Sequence, residues 1–231
     1  MAASVTERRS AASPGMAYHR PVNVKAVITD WGGVLTSPLR EATDVWLAAE
    51  RIDADGYRTV MRAWLRAYDG QDSNPIHGLE DGTLDPAEFE RLLAAELRTV
   101  DGGPVPAEGL IARMFEAFHP VEEMYDALRA VRAAGTRTAL LSNSWGNEYP
   151  RHLFDGLFDT VVISCEVGMR KPDERIFRHT VELMGLPAAE CVFIDDIEYN
   201  VEAARAVGMR AVHHTGTGTT LEELRGLGLR I

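Results

Sequence analysis

The sequence predicts an α/β protein whose parallel sheet is assembled from strands that alternate with helices. Short apolar runs rich in Val and Ile recur along the chain, and each is too short to be a typical helix. From residue 120 onward these runs alternate with segments in which apolar residues recur at helical steps. Such alternation is typical of parallel sheets with right-handed crossovers, and the hydrophobic content of 45% is enough for a sizeable core.

The first predicted strand covers residues 24–29 and runs into Asp30 and a glycine-containing loop. Beyond this loop the strand pattern stops, and apolar residues recur at three- and four-residue steps as far as Leu97. This periodicity is that of amphipathic helices. Residues 39–118 are therefore predicted to be a helical insertion between the first and second strands.

The elements after residue 119 are predicted from apolar periodicity and from glycines that end helices, such as Gly135. The predicted strands are residues 137–142, 160–164, 191–195 and 210–214, and the predicted helices are residues 120–134, 173–184, 198–207 and 220–225. Together with the first strand, these runs make a five-stranded sheet.

Polar residues stand at the ends of these strands or just before a helix. They are Asp30, Ser142, Asn143, Lys171, Asp195 and Asp196. Because the carboxyl ends of parallel strands share one edge of a sheet, we expect these side chains to meet. Phosphoryl transfer to a carboxylate brings two anions together, so a cation must offset their repulsion. The carboxylates therefore predict a site for Mg²⁺, a hard cation that prefers oxygen ligands.

In order and spacing, the motifs at Asp30, Ser142, Lys171 and Asp195-Asp196 resemble those of the haloacid dehalogenase (HAD) superfamily of aspartate-nucleophile hydrolases. The resemblance is nearest to subfamily I phosphatases with a helical cap. That group includes a bacterial glucose-1-phosphatase and the N-terminal phosphatase domain of epoxide hydrolases. The resemblance implies a Rossmann-like sheet with the strand order 5-4-1-2-3.

The same resemblance implies a division of the chain into domains. Residues 21–38 and 119–231 would form the core domain, and residues 39–118 the helical cap that lids the active site. Residues 1–20 mix charged and small polar residues without a long apolar stretch, and we expect them to be a disordered leader.

The resemblance also implies a role for each site residue. Asp30 would be the nucleophile, and Mg²⁺ would be held by Asp30, the backbone carbonyl of Gly32, Asp195 and Asp196. Lys171 would be catalytic and, with Ser142 and Asn143, would bind phosphate, because its charge balances the nucleophile and phosphate together. The Asp pair could also cap the following helix, and this role is compatible with metal binding.

One position departs from the family pattern. Most phosphatases of the superfamily carry a second Asp two residues after the nucleophile, where it serves as general acid and base, and this chain has Gly32 there. A positioned general acid contributes about 10²–10⁴-fold to a rate. We therefore expect a narrower substrate range, slowest for esters with poor leaving groups, and the residue that replaces the Asp is not evident in the sequence.

The leading interpretation is a Mg²⁺-dependent phosphatase that hydrolyses a small phosphorylated metabolite through an aspartyl-phosphate on Asp30. A metal-independent 2-haloacid dehalogenase is a second interpretation, although Asp195 beside Asp196 disfavours it, since two carboxylates without a metal repel each other. The third is a non-catalytic ligand-binding or regulatory HAD protein, because Gly32 replaces the acid/base Asp. His213 and His214 are not expected to share a metal, since adjacent strand residues point to opposite faces.

Composition limits the partners. The net charge of −11 and the lack of a basic run argue against nucleic acids and anionic membranes as partners, and we expect a cytoplasmic monomer or homodimer. Cys165 and Cys191 lie at or beside predicted strands, as small buried hydrophobes do, so no disulfide is expected.

Overall fold

The computed structural model describes residues 23–66 and 74–231. Within these residues the strands are β1 (Ala26–Thr29), β2 (Arg137–Ser142), β3 (Thr160–Ile163), β4 (Cys191–Asp195) and β5 (Arg210–His213). The helices are α1 (Leu39–Ala49), α2 (Ala54–Arg66), α3 (Pro75–Asp81), α4 (Pro86–Glu96), α5 (Leu110–Phe115), α6 (Glu122–Ala133), α7 (Ser164–Val167), α8 (Glu174–Met184), α9 (Glu198–Ala206) and α10 (Thr217–Gly226). The predicted leader, residues 1–20, lies outside the described residues.

The five strands form one parallel sheet with the order β3-β2-β1-β4-β5. This is the predicted order 5-4-1-2-3 read from the other edge, so the predicted α/β Rossmann-like fold is confirmed. All four residues of β1 are buried, because this strand lies at the centre of the sheet with a neighbour on each side. Continuous apolar runs of this kind are typical of strands covered on both faces.

The predicted element bounds agree with the structure to within a few residues. The largest difference is at the last helix, which begins three residues earlier than predicted, at Thr217. The third strand ends one residue early, at Ile163, because Ser164 begins the single turn α7. The turn α7 ends at Gly168, which adopts the left-handed conformation that favours glycine.

Helices cover the two faces of the sheet. Alternate residues of β1 point to opposite faces, so Val27 packs with α6 through Met124 and Leu128, whereas Ile28 lies on the α8 face with Phe177. Both faces are therefore sealed from water. This leaves the carboxyl ends of the strands as the edge at which polar side chains can be exposed to a ligand.

The helices α1–α5, which we call the cap helices, bury a cluster of their own. Its large side chains include Trp46, Phe89 and Leu93, which are at most 2% exposed. A separate hydrophobic cluster agrees with a cap of residues 39–118, although the division into domains stays a prediction. The cap helices contact the sheet through α3, where the Ser164 hydroxyl donates a hydrogen bond to the carbonyl of Glu80.

The two cysteines differ in their surroundings. Cys191 begins β4 and is buried, as predicted, but Cys165 is exposed, so its predicted burial is wrong. The reason is that Cys165 falls in the turn α7 and not in a strand. Both are free thiols. No helix in the two described ranges is long and apolar enough to cross a bilayer.

Candidate active site

Asp30, the candidate nucleophile, lies at the carboxyl edge of the sheet, between the ends of β2 and β4. Asp30 follows β1, and its backbone N–H donates to the carbonyl of Ile194 at 2.8 Å, which continues the β1–β4 pairing. Asp30 and Asp195 therefore stand side by side. Ser142 ends β2 on the other side of β1, so strand register alone brings three of the predicted residues to one place.

Lys171 links the two carboxylates. Its Nζ lies 2.9 Å from Asp30 Oδ1 and 2.6 Å from Asp195 Oδ2, and its side chain is 1% exposed. Burial alone would lower the pKa of the Lys171 ammonium, but the charges of Asp195 and Asp30 raise it, so Lys171 is positively charged. The predicted association of Asp30, Asp195 and Lys171 is thus present in the structure.

Asn143 holds Lys171 in position through the backbone. The Lys171 N–H donates to Asn143 Oδ1 at 2.8 Å, and Asn143 Nδ2 donates to the Lys171 carbonyl at 3.0 Å. The side-chain amide is therefore used to fix the loop that carries the lysine. The predicted contact of Asn143 with phosphate stays a prediction, and its backbone N–H is the group that could make it.

Asp195 is completely buried and fully bonded. Beside the contact with Lys171, its oxygens accept hydrogen bonds from the Ile197 N–H at 2.8 Å and from Asn200 Nδ2 at 3.1 and 3.2 Å. Asn200, on α9, was not identified in the sequence analysis, because a polar residue on a helix gives no local signal of what it contacts. Asp195 acts mainly as an anchor for Lys171 and for the loop before α9.

Asp196 has the opposite environment. Its Oδ1 is buried and has no hydrogen-bond donor within the described residues. Gly33, with φ of +75°, packs directly against this carboxylate, and a Cβ at that position would collide with it. Burial and the charges of Asp30 and Asp195 raise the pKa of Asp196 to about 7. A buried carboxylate without a partner is the kind of group that a cation would satisfy.

The three carboxylates are close enough to share one ion. Asp30, Asp195 and Asp196 each offer an oxygen, and these oxygens lie within 4.8 Å of one another. Burial raises the pKa of Asp30 to about 6, with a further contribution from Asp195 and an opposing one from Lys171. Oxygen donors of this number and charge fit Mg²⁺ or a similar hard cation.

Ser142 is positioned by a residue that sequence analysis missed. The Tyr149 hydroxyl donates to Ser142 Oγ at 2.9 Å, and the Tyr149 ring packs against Trp31 with centroids 5.1 Å apart. Because Ser142 Oγ accepts this bond, its own O–H remains available to donate. Ser142 lines the cavity beside Asp30 and Lys171, so its hydroxyl can serve an anion bound there.

Asp30, Ser142, Asn143 and Lys171 form the floor of a cavity of about 860 Å³. Its walls come from the cap helices α1, α2, α3 and α5, and from Trp31 and Trp145. Glu80 on α3 is part of the wall and pairs with Arg170 at 3.2 Å, next to Lys171. Burial raises the pKa of Glu80 to about 7, against the opposing charge of Arg170. No sequence pattern indicated this pair, since its members are far apart in the chain.

The two adjacent histidines contact different partners. His213 Nε2 lies 3.0 Å from the Asp196 carbonyl, whereas His214 Nδ1 lies 2.8 Å from Thr220 Oγ1. His213 ends β5, and His214 lies just after it.

The model of the haloacid dehalogenase-like hydrolase family matches residues 24–208 of the chain. The protein belongs to this family and is a hydrolase. It is 27% identical over 223 residues to the phosphatase MT3486 of Mycobacterium tuberculosis, an alignment that covers 90% of this chain and 96% of that protein. It is 35% identical over 152 residues to the sesquiterpene phosphatase AstK of Aspergillus oryzae, covering 64% of this chain and 76% of that one.

Other relatives are much longer. The mouse acyl-CoA dehydrogenase family member 10 is 28% identical over 216 residues, which is 88% of this chain but only 19% of that protein. The pig bifunctional epoxide hydrolase 2 is 30% identical over 216 residues, or 87% of this chain and 38% of that protein. The chain thus corresponds to one part of these larger proteins, and the predicted similarity to the phosphatase part of epoxide hydrolases is confirmed.

Solved structures share the fold. A HAD-like family hydrolase from Porphyromonas gingivalis has a TM-score of 0.61 at 21% identity, covering 88% of this chain and 98% of that one. A magnesium complex of the HAD family enzyme bt-2542 from Bacteroides thetaiotaomicron has a TM-score of 0.60 at 23% identity, covering 82% and 92%. A dehalogenase has a TM-score of 0.59 at 18% identity, covering 83% and 85%, so the fold alone does not decide between phosphatase and dehalogenase chemistry.

The buried position of Lys171 leads to a stability prediction with a matched control, because Lys25 is the other lysine of the chain. Lys171→Met keeps the length of the side chain but leaves Asp30 and Asp195 buried without a countercharge. We expect it to lower the free energy of unfolding by about 3–5 kcal/mol. Lys25→Met removes an exposed 2.9 Å pair with Glu190 and should cost about 0–1 kcal/mol.

Urea unfolding of both variants in EDTA measures the two values without a bound metal ion. Equal effects at Lys171 and Lys25 would show that the buried lysine does not hold the site together.

Proposed function

We propose that the protein is a Mg²⁺-dependent phosphatase that hydrolyses a small phosphorylated metabolite through an aspartyl-phosphate on Asp30. The observation that carries the proposal is the Asp30 carboxylate at the floor of the cavity, beside Lys171 and within reach of Asp195 and Asp196. Two relatives, which align with 90% and 64% of this chain, are named phosphatases, and this supports a phosphate ester as the substrate.

Asp30 is suited to attack through one of its oxygens. In the described part of the chain, its hydrogen bond from the Trp31 N–H at 2.7 Å and its contact with Lys171 at 2.9 Å both fall on Oδ1. Oδ2 is then the oxygen that would attack. A bond would form between Asp30 Oδ2 and phosphorus as the ester P–O bond breaks, and the leaving oxygen would depart with the bonding electrons and take a proton from solvent. Attack of water on phosphorus would then break the bond between Asp30 Oδ2 and phosphorus, which restores the Asp30 carboxylate and releases phosphate, while the water gives up a proton to solvent.

Lys171 and Ser142 would carry the binding of the phosphoryl group. The ammonium offsets the repulsion between the nucleophile and the phosphate, and the Ser142 O–H would donate to a phosphate oxygen. Mg²⁺ would be held by Asp30, Asp196 and the Gly32 carbonyl, and when bound it would neutralise charge on the phosphate oxygens. Asp195, whose lone pairs are used by Lys171, Asn200 and Ile197, would act through the lysine or through a bridging water.

The dehalogenase and the non-catalytic binding protein would make different use of the charged groups at this site. A dehalogenase displaces halide without a metal, and the unpartnered oxygen of Asp196 would then stay buried at a cost. A non-catalytic binding protein could use Lys171 to hold an anion, but it would not need a free nucleophilic oxygen on Asp30. The arrangement therefore favours phosphatase chemistry over both.

A direct test uses p-nitrophenyl phosphate with and without Mg²⁺. Asp30→Asn should reduce turnover to below a few per cent of the wild-type rate, because the amide is nearly isosteric but is neither a nucleophile nor a good Mg²⁺ ligand. Glu50→Gln, on the opposite end of α1 from the site, is the matched change of an acid to its amide and should leave the rate unchanged.

The proposal fails if Asp30→Asn keeps substantial activity. If wild-type turnover persists in excess EDTA, the proposed need for Mg²⁺ is wrong. If the wild-type protein is inactive in Mg²⁺ but shows an intact melting transition, the non-catalytic alternative is favoured.

Gly32 leads to a second prediction about leaving groups. Without an acid at this position, aryl phosphates should react much faster than alkyl phosphates, because no side chain here protonates the departing oxygen. Gly32 does not have a positive φ, so its backbone conformation tolerates a side chain. A Cβ there would meet only Leu39 Cδ2, at 3.2 Å, and could be accommodated by a small adjustment. Gly32→Asp should raise alkyl phosphate rates about 10²-fold or more and aryl rates far less.

Initial rates for a series of aryl and alkyl phosphates measure this dependence. Equal wild-type rates across the series, with chemistry shown to limit the rate, would mean that another residue supplies the proton.

A further inference from the structure

The part of the cavity formed by the cap helices is lined mainly by apolar side chains. Beyond the phosphate-binding floor, α1, α2, α3 and α5 and the segment just after α5 contribute Leu47, Met61, Leu65, Ile76, Met114 and Phe118. Leu47, Ile76 and Met114 also belong to the buried cluster of the cap, so this lining is fixed by packing. The cavity volume of about 860 Å³ is near the upper end of ordinary ligand pockets, and a phosphate group alone would fill little of it.

Most polar groups that the cap helices contribute to the cavity are engaged with one another. Asp44 pairs with Arg58 at 2.8 Å, and a hydrogen bond joins the Tyr57 hydroxyl to Thr43. Arg40, whose side chain is 87% exposed, lies 4.0 Å from Asp44. A sugar or other polyol would need free donors and acceptors at several of its hydroxyl groups. Here its hydroxyls would lose water and find partners that are already bonded, which is unfavourable.

Nearer to the sheet, most polar side chains of the cavity have partners. Glu80 is paired with Arg170, and the pKa of His77 is lowered by burial and by the charge of Arg170, so the imidazole is neutral at neutral pH. Asn147 Nδ2 and Asn200 Oδ1 are buried atoms that have no partner within the described residues. Asn147 lies in the loop after β2 and Asn200 in α9, so neither belongs to the cap helices.

We infer that the substrate is a phosphate monoester with an extended apolar organic part, which lies between α1, α2 and α5 while the phosphate sits at Asp30. This inference rests on the proposed function, because it takes the phosphate end of the ligand to be the end that reacts. The observation behind it is the contrast between a charged floor and an apolar wall in one cavity. Burial of each methylene of such a tail would strengthen binding by about fourfold.

The test measures binding separately from catalysis. n-Alkylphosphonates cannot be hydrolysed, since their chain is joined to phosphorus by carbon, and calorimetric titration of the wild-type protein in Mg²⁺ gives Kd for each chain length. We expect Kd to fall by about fourfold per methylene, or roughly two orders of magnitude over four methylenes, until the cavity is filled. Dihydroxypropylphosphonate should bind more weakly than propylphosphonate.

A pair of leucines supplies the control variants. Leu65 and Leu92 are both exposed side chains on cap helices, 47% and 38% exposed, but only Leu65 lines the cavity. Leu65→Asn should reduce the ratio of octyl- to methylphosphonate affinity by about tenfold, since the tail loses an apolar contact. Leu92→Asn should leave that ratio unchanged. Met61→Gln, which keeps the side-chain length, should act like Leu65→Asn.

The outcomes separate this inference from the proposed function. If Kd does not change with chain length while p-nitrophenyl phosphate is hydrolysed, the apolar substrate is overturned and the proposed function stands. Equal or tighter binding of dihydroxypropylphosphonate than of propylphosphonate has the same meaning. Equal effects of Leu65→Asn and Leu92→Asn on the affinity ratio would show that the apolar tail does not contact this wall. Absence of p-nitrophenyl phosphate hydrolysis overturns the proposed function, and with it the assignment of the cavity to a substrate.

Discussion

The contact of Lys171 with Asp30 and Asp195 is the interaction on which the rest of the site depends. An ammonium that is 1% exposed can be tolerated only where carboxylates surround it, and two strand ends supply them at 2.9 and 2.6 Å. The geometry is fixed from both sides, because Asn143 binds the backbone of Lys171 and Asn200 binds Asp195. Movement of any one of these groups would leave a buried charge without its partner, so the constellation behaves as a rigid unit.

This unit leaves negative charge in excess. Three carboxylates face one ammonium, and Asp196 carries a buried oxygen that no donor in the described residues satisfies. Burial raises the pKa of Asp30 to about 6 and that of Asp196 to about 7, and the neighbouring carboxylates add to both shifts. Gly33 is required at this point because any side chain would displace Asp196. Under the proposed function this site would hold a cation and a phosphate together, and the cap helices would determine which organic group fits beside them.

Much of this site was predictable because it depends on strand ends. Asp30, Ser142 and Asp195 each end a run of buried residues, and parallel register brings such positions together whatever the rest of the chain does. The fold class was predictable for the same reason, since strand and helix periods are local properties of the sequence. The predicted burial of Cys165 was wrong because a strand that stops at Ile163 cannot be distinguished in the sequence from one that continues.

What could not be predicted depends on contacts between distant segments. Asn200 and Tyr149 act on the site through single hydrogen bonds from a helix and a loop, and neither belongs to a periodic pattern. The Glu80–Arg170 pair joins residues of α3 and of the loop before α8. The apolar wall is a further example, because the periodicity of α1 and α2 identifies a buried stripe without indicating whether protein or ligand covers it.

The central claim, that Asp30 is the nucleophile, is tested most directly by trapping the covalent intermediate. Wild-type protein in Mg²⁺ is mixed with an aryl phosphate, quenched in acid within the first turnover and reduced with borohydride, which converts an aspartyl-phosphate to homoserine. Mass spectrometry of the peptide that contains Asp30 should then find homoserine at position 30 and aspartate at positions 195 and 196. A burst of released phenol that runs ahead of phosphate release, with aspartate intact at position 30, would contradict the account.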